Sequence, residues 1–215
     1  MSWRAALAVA VLSAALAGAV PAVSDDDARR IDRGETVLHQ RPVEGFPWPE
    51  VVTYRRSTAS PTAVMAVWAD IDAQASWVPE LVASRVVARE TANVFRVLYE
   101  YEVAGPNERY TSVITITRDG DGWHARWTLV TARYMRRLEG ALRVLPRGDG
   151  SVVSFRSLVD PGMLGATFGT PESVGRSLAA TTEALTARAE RLVTSEPRRV
   201  TELVEQLNGL ARADR

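Results

Sequence analysis

The side chains here that could do chemistry are chiefly aromatic hydroxyls, carboxylates and arginines. All 26 basic residues are arginine, and there is no cysteine. Without lysine there is no Schiff base, lysine general base or phosphate-loop lysine. Without cysteine there is no thiol nucleophile, zinc–thiolate site or disulfide. His39 and His124 are the two histidines and stand 85 positions apart, so a multi-histidine metal site is not expected. No Gly-x-Ser-x-Gly elbow or phosphate-cradling glycine loop occurs in context. Twenty-six acidic residues balance the arginines, leaving no net field for nucleic acid or an anionic membrane.

What remains is a set of aromatic residues at strand spacing. In a strand, alternate residues share a face. Val94 to Val103 splits into Phe95, Val97, Tyr99, Tyr101 and Val103 against Arg96, Leu98, Glu100 and Glu102, and the first set reads as inward. By the same test Tyr110, Ser112, Ile114 and Ile116 face inward in the next strand. Trp123, Ala125, Trp127 and Leu129 do so in the one after, with His124 and Arg126 outward. A single bulge would invert any of these assignments. Such a face suits a flat or chain-like apolar ligand held by a few hydrogen bonds. Plain core packing is the alternative for each residue. The tyrosines favour ligand contact most, because a buried phenol needs a partner.

The other constellations fit structural roles. Outward parity makes His124 a surface residue rather than a general base. Glu100 and Glu102 pair with arginines across strands more naturally than with each other. Asp70 and Asp72 lie two apart at a helix end and do not face one another. Among Arg136, Arg137, Arg143 and Arg156, parity places Arg137 and Arg143 outward with Glu139.

The elements that must position the aromatic face follow from the same pattern. Val51 to Ser57 reads as a first strand, and Thr36 to Leu38 could add a short one. Ser60 caps a helix with Pro61 at its first position and Val64, Val67, Trp68 and Ile71 at helical spacing. Trp77 to Leu81 then begins a short helical turn. Period-two strands follow over Val82–Glu90, Val94–Val103, Arg109–Arg118, Trp123–Ala132, Arg137–Leu145 and Ser151–Val159, joined by short turns such as Asp119-Gly120-Asp121-Gly122. Short turns imply an antiparallel meander. Gly162 to Gly169 reads as an apolar loop suited to a lid. Thr170 and Pro171 start a long helix with Val174, Leu178, Thr181, Leu185 and Leu192 on one stripe, and Pro197 restarts an amphipathic helix through Leu210. The class is α+β. A curved sheet wider than the helix on it leaves a cavity.

The ends differ from this middle. Met1 to Arg4 is a positive n-region, and Ala5 to Val20 runs 16 residues without a charge. That is short of the ~20 residues of a membrane span. A cleaved secretory signal over residues 1–22 is expected, cut after Ala19 or Ala22, giving a periplasmic or secreted protein. Residues 23–50 read as a polar, irregular segment in which Phe46 and Trp48 pack on the surface. Residues 51–193 form the domain, and 194–215 the last helix.

The stretch Ala59 to Ile71, with Trp77-Val78-Pro79 and the strand Ser84 to Arg89 behind it, resembles the opening of the START-like, Bet v 1-like (SRPBCC) superfamily. That group includes the polyketide cyclase/dehydrase-like and coenzyme Q-binding proteins. Asn107-Glu108-Arg109-Tyr110 and Asp160-Pro161-Gly162 match further on, so the likeness covers about Val51 to Val193. The leader and the helix beyond Pro197 lie outside that pattern. The resemblance implies a helix-grip fold, a sheet of about seven antiparallel strands wrapped around the long helix, and a cavity for a lipid, sterol, quinone or polyketide-like molecule.

The candidate ligand contacts are therefore Phe95, Val97, Tyr99, Tyr101, Tyr110, Ile114, Ile116, Trp127 and Leu129 from the sheet, with Leu178 and Leu185 from the helix. No catalytic residue, metal or cofactor is expected. The leading reading is an exported carrier or binding protein for an apolar small molecule. The alternatives are a cyclase- or hydrolase-like enzyme using the same cavity, or an envelope interaction module docking through the last helix. Transient membrane contact is left open.

Overall fold

The structure, a computed structural model, describes residues 23–103 and 105–212. The expected signal segment lies outside the described residues. Eight strands form one antiparallel sheet in the order β1-β2-β8-β7-β6-β5-β4-β3. They are β1 (Val37–Arg41), β2 (Glu50–Ser57), β3 (Leu81–Arg89), β4 (Val94–Val103), β5 (Gly105–Asp119), β6 (Gly122–Ala132), β7 (Arg137–Arg147) and β8 (Gly150–Asp160). Helix α1 spans Asp25–Asp32, α2 Pro61–Ala69, α3 Gly162–Phe168, α4 Pro171–Ser195 and α5 Pro197–Arg212. Among the described residues no helix is long and apolar enough to cross a membrane.

The six-strand meander from β3 to β8 and the α4 start follow their periodicity and turn residues, except that β5 begins at Gly105, four residues before the expected Arg109. Thr170 and Ser173 form a reciprocal capping box at α4, and the Ser60 hydroxyl accepts from the Ala63 N–H at α2. Four local expectations change. The sheet has eight strands rather than about seven, because β1 pairs with β2 along its whole length. The segment before it is ordered: Ser24 caps α1, three aspartates fill the first turn, and Ile31 buries with Val37, Val52 and Tyr54 on the outer face of the sheet. The helical turn expected at Trp77 to Leu81 instead occupies Ile71–Ser76 as a 3-10 turn, for Pro79 has no N–H to continue one. The Gly162–Gly169 loop is helix α3. Gly162 takes the left-handed backbone (φ +65°) at its start, and Met163, Leu164 and Ala166 are good helix formers.

The inner face of the sheet carries two helices. Helix α4 lies along β2 through hydroxyls as well as leucines: the Thr53 and Thr182 oxygens sit 2.7 Å apart and both residues are buried. Arg55 Nε donates to Thr186 Oγ1 beside them, and Ser57 Oγ to Glu190. Helix α2 is buried on both sides. Ala63 through Trp68 are all below the surface, because the sheet lies on one side and α5 covers the other. Leu203 and Leu207 of α5 are buried there, and Arg199 pairs with Asp70 at 2.8 Å. That double burial explains why α2 lacks a polar stripe. The last helix is thus an integral layer of the domain.

On the outer face, His124 of β6 pairs with Thr117 and Arg143 across the strands and is only partly exposed. Burial, with the Arg126 and Arg143 guanidiniums beside it, holds its imidazole down at about 4. An unfolded chain takes up this proton near pH ~6.5, whereas the folded chain does not until far lower. Stability from this group is therefore complete above pH ~6.5 and is lost as the pH falls towards ~4, by at most ~1.4 kcal/mol per pH unit. Thermal melts over that window should descend less steeply in His124→Gln than in the parent chain. Parallel descents would remove His124 as a source of acid sensitivity.

Candidate functional site

Depth along the sheet divides the inner face in two. One half is solid: Phe95, Val97, Ile114, Ile116, Trp123, Ala125, Leu142, Val144, Val153 and Leu185 are all buried in one continuous cluster. Trp123 Nε1 donates to Thr62 of α2 and ties that half together. The other half is hollow. A cavity of about 760 Å³ lies between the sheet and the first turns of α4, within the ~300–1,000 Å³ usual for small-molecule sites. Its wall takes the C-terminal ends of β4 and β8, the start of β5 and β7, and Val174, Leu178 and Thr181 of α4.

An aromatic layer forms the boundary. Trp127 stacks on Trp68 with centroids 5.7 Å apart, and Phe155 meets Trp127 edge-on at 5.3 Å. Trp127 can lie flat on the sheet because its cross-strand partner is Gly140. A Cβ at that position would stand 2.0 Å from the indole.

Above this floor, three tyrosines occupy one side of the wall. Tyr99 and Tyr110 are direct cross-strand partners with rings 5.4 Å apart, and Tyr101 stacks on Tyr110 at 6.1 Å and 8°. Burial pushes all three phenols well above their ordinary range, and the neighbouring tyrosines and Glu80 add to it. They are neutral hydrogen-bonding groups in an apolar setting. Gln74, buried and donating to the Trp68 carbonyl, lines the cavity with them, as do the hydroxyl-bearing Ser157 and Thr181.

The mouth carries carboxylates. Glu108, buried, accepts from the Arg133 and Tyr134 N–H groups and so fixes the β6–β7 loop, from which Tyr134 and Met135 join the wall. Glu80 holds a left-handed backbone (φ 63°), unusual for a residue with a side chain. Two bonds hold it so: its carbonyl accepts from Glu102 N–H, and its carboxylate accepts from Ser177 Oγ of α4 at 2.8 Å. Glu102, outward by parity, reaches the rim because β4 departs from register beyond Tyr101.

Of the eleven candidate contacts, Tyr99, Tyr101, Tyr110, Trp127 and Leu178 line the cavity. Phe95, Val97, Ile114, Ile116 and Leu185 face inward but fall below the aromatic floor, in the solid half. Leu129 stands where β6 has parted from β7 and slips register against β5, and it is outside the wall. Trp48 joins the wall against Gly169, contrary to the surface position expected of it, because α3 and α4 meet at that glycine. Phe46 does stay on the surface, under the Arg137 guanidinium at 3.9 Å. Arg143 pairs with Asp119, and Arg156 with Glu50; neither lines the cavity.

Residues 49–190 match the family described as polyketide cyclase / dehydrase and lipid transport. Solved structures share the fold. A STAR-related lipid transfer protein of Xanthomonas axonopodis is 24% identical, with a TM-score of 0.62 over 72% of this chain and 93% of its own. The Zhui aromatase/cyclase of Streptomyces sp. R1128 is 20% identical, with 0.55 over 73% and 98%. Human StAR-related lipid transfer protein 5 is 12% identical, with 0.58 over 75% and 84%. No curated protein matches the chain significantly. The family match over well over half of the chain, on a sheet gripping a long helix around a cavity in the helix-grip fold of those structures, makes this protein a member of the polyketide cyclase / dehydrase and lipid transport family.

Proposed function

We propose that the protein is an exported carrier or binding protein that holds one apolar small molecule between the sheet and α4. The observation that carries this is the 760 Å³ cavity whose floor is Trp68, Trp127 and Phe155 and whose polar groups are mostly uncharged. Apolar surface of that extent stays unfilled by the protein's own side chains, and a greasy guest would gain by filling it. Export rests on the charged n-region and uncharged run at the N-terminus. Helix α3 fits a lid: it sits at the mouth between two glycines and presents Met163 and Leu164, 79% and 58% exposed, where a ligand or a membrane would meet them. Native mass spectrometry of gently purified protein should show a bound small molecule, released into organic extract. The bare chain mass throughout, together with equal chymotryptic cutting of α3 with and without lipid vesicles, would count against carriage.

One observation favours an enzymatic reading, and it is the tyrosine group. A neutral phenol held in an apolar wall can donate to a carbonyl as negative charge develops there, as cyclase- or hydrolase-like chemistry requires. Turnover surviving in Tyr99→Phe and Tyr101→Phe would exclude it.

A further inference from the structure

The charges around the cavity limit what its guest can be. Among the described residues, four charged ones line it: Glu80, Glu102, Glu108 and Arg176. Arg176 is exposed at the rim, one helical turn from Glu172, with which it interacts. Among the described residues no cation stands beside the aromatic groups of the interior, where an anionic headgroup would need one. An ionised carboxylate leaving water without a cation partner carries a heavy desolvation cost, and three carboxylates at the mouth repel it as well. The same three carboxylates attract an ammonium to the mouth, but it too would have to leave water to reach the aromatic interior. Glu108 is already taken by two backbone N–H groups and Glu80 by Ser177, while Glu102 is exposed.

What the interior does offer is uncharged. Tyr101 and Tyr110 stack face to face, with Tyr99 against them, on the wall above the tryptophan floor. Tyr101 and Tyr110 hydrogen-bond to each other, and the pair keeps one O–H to donate and lone pairs to accept, which suits a single hydroxyl or carbonyl oxygen. The apolar remainder of a guest would then lie on Trp127, Phe155 and Leu178.

We propose that the cavity selects uncharged amphiphiles bearing one hydroxyl or carbonyl oxygen, receives that oxygen at the Tyr101 and Tyr110 phenols, and rejects the matching carboxylates and amines. This rests on the carrier reading above and narrows it to a class of head group. Sterols, long-chain alcohols and simple esters fall inside the class; free fatty acids and acidic phospholipids fall outside.

The test uses one chain length with four heads: dodecanol, methyl dodecanoate, dodecanoate and dodecylamine, each competing with Nile red for the full chain at neutral pH. The alcohol and the ester should displace the dye at concentrations at least tenfold lower than either ion. The Tyr101→Phe/Tyr110→Phe chain, folded by circular dichroism, should lose most of that advantage while dodecane competes as before. Dodecanoate or dodecylamine binding as tightly as dodecanol would overturn the selectivity and leave the carrier reading standing. Failure of Nile red and all competitors to bind would overturn both. The four-way comparison on the unaltered chain decides the matter even if the double variant does not fold.

Discussion

Gly140→Ala should destabilise the protein by ~3 kcal/mol, the upper end of what overpacking a core usually costs. The added Cβ would stand 2.0 Å from Trp127 Cε2 and 2.2 Å from its Nε1. The indole cannot swing away cheaply, since Trp68 stacks on it and Phe155 abuts it. Either the β6–β7 pairing opens or the ring tilts up into the cavity, and both outcomes alter the binding floor. Urea or thermal melts give the stability change, and dye binding reports the floor. A second substitution identifies the cause. In a Trp127→Leu background, Gly140→Ala should cost much less, because the clashing ring is gone. Equal costs in the two backgrounds would mean that the methyl group is accommodated without touching Trp127.

Leu203→Ala with Leu207→Ala should come close to unfolding the domain. Both leucines are almost fully buried between α5 and α2, and a buried leucine cut to alanine costs ~2–5 kcal/mol. Two together approach the ~5–15 kcal/mol total stability of an ordinary domain. The reason lies in α2, whose residues Ala63 through Trp68 are buried all round and have no polar face to show to water. Loss of α5 would expose that apolar surface beside the tryptophan floor. Equilibrium unfolding and analytical ultracentrifugation read the outcome. A double variant that stays monomeric at unchanged stability would separate α5 from the core and restore a docking role for it.

These two sites differ in how they could be read beforehand. The amphipathic stripe Val200, Leu203, Leu207 and Leu210 is plain in the sequence, and so is the apolarity of α2. That the two bury each other is a tertiary fact, because a stripe declares that it needs a partner without naming it. Gly140 carries a fainter mark. A lone glycine within a strand signals a close approach, but the approaching group is set by cross-strand register. The inward parity of Tyr99, Tyr101, Tyr110 and Trp127 was legible because a pleated strand repeats every two residues. Glu102 escaped that rule at a departure from register.

From its residues alone, the chain determines an antiparallel meander closed by a long capped helix, an aromatic inner face and a family resemblance. These are local properties: turn chemistry, capping and period-two alternation act over a few residues. Only the tertiary structure decides how far along that face the hollow extends. Tyr99 and Val97 point the same way from the same strand, yet one lines the cavity and the other is sealed in the solid half. Periodicity separates inside from outside, whereas depth depends on where α2, α4 and the Trp68–Trp127 layer come to rest across the sheet. The rim is decided the same way, by Trp48, Glu80 and Glu108 converging from three distant segments.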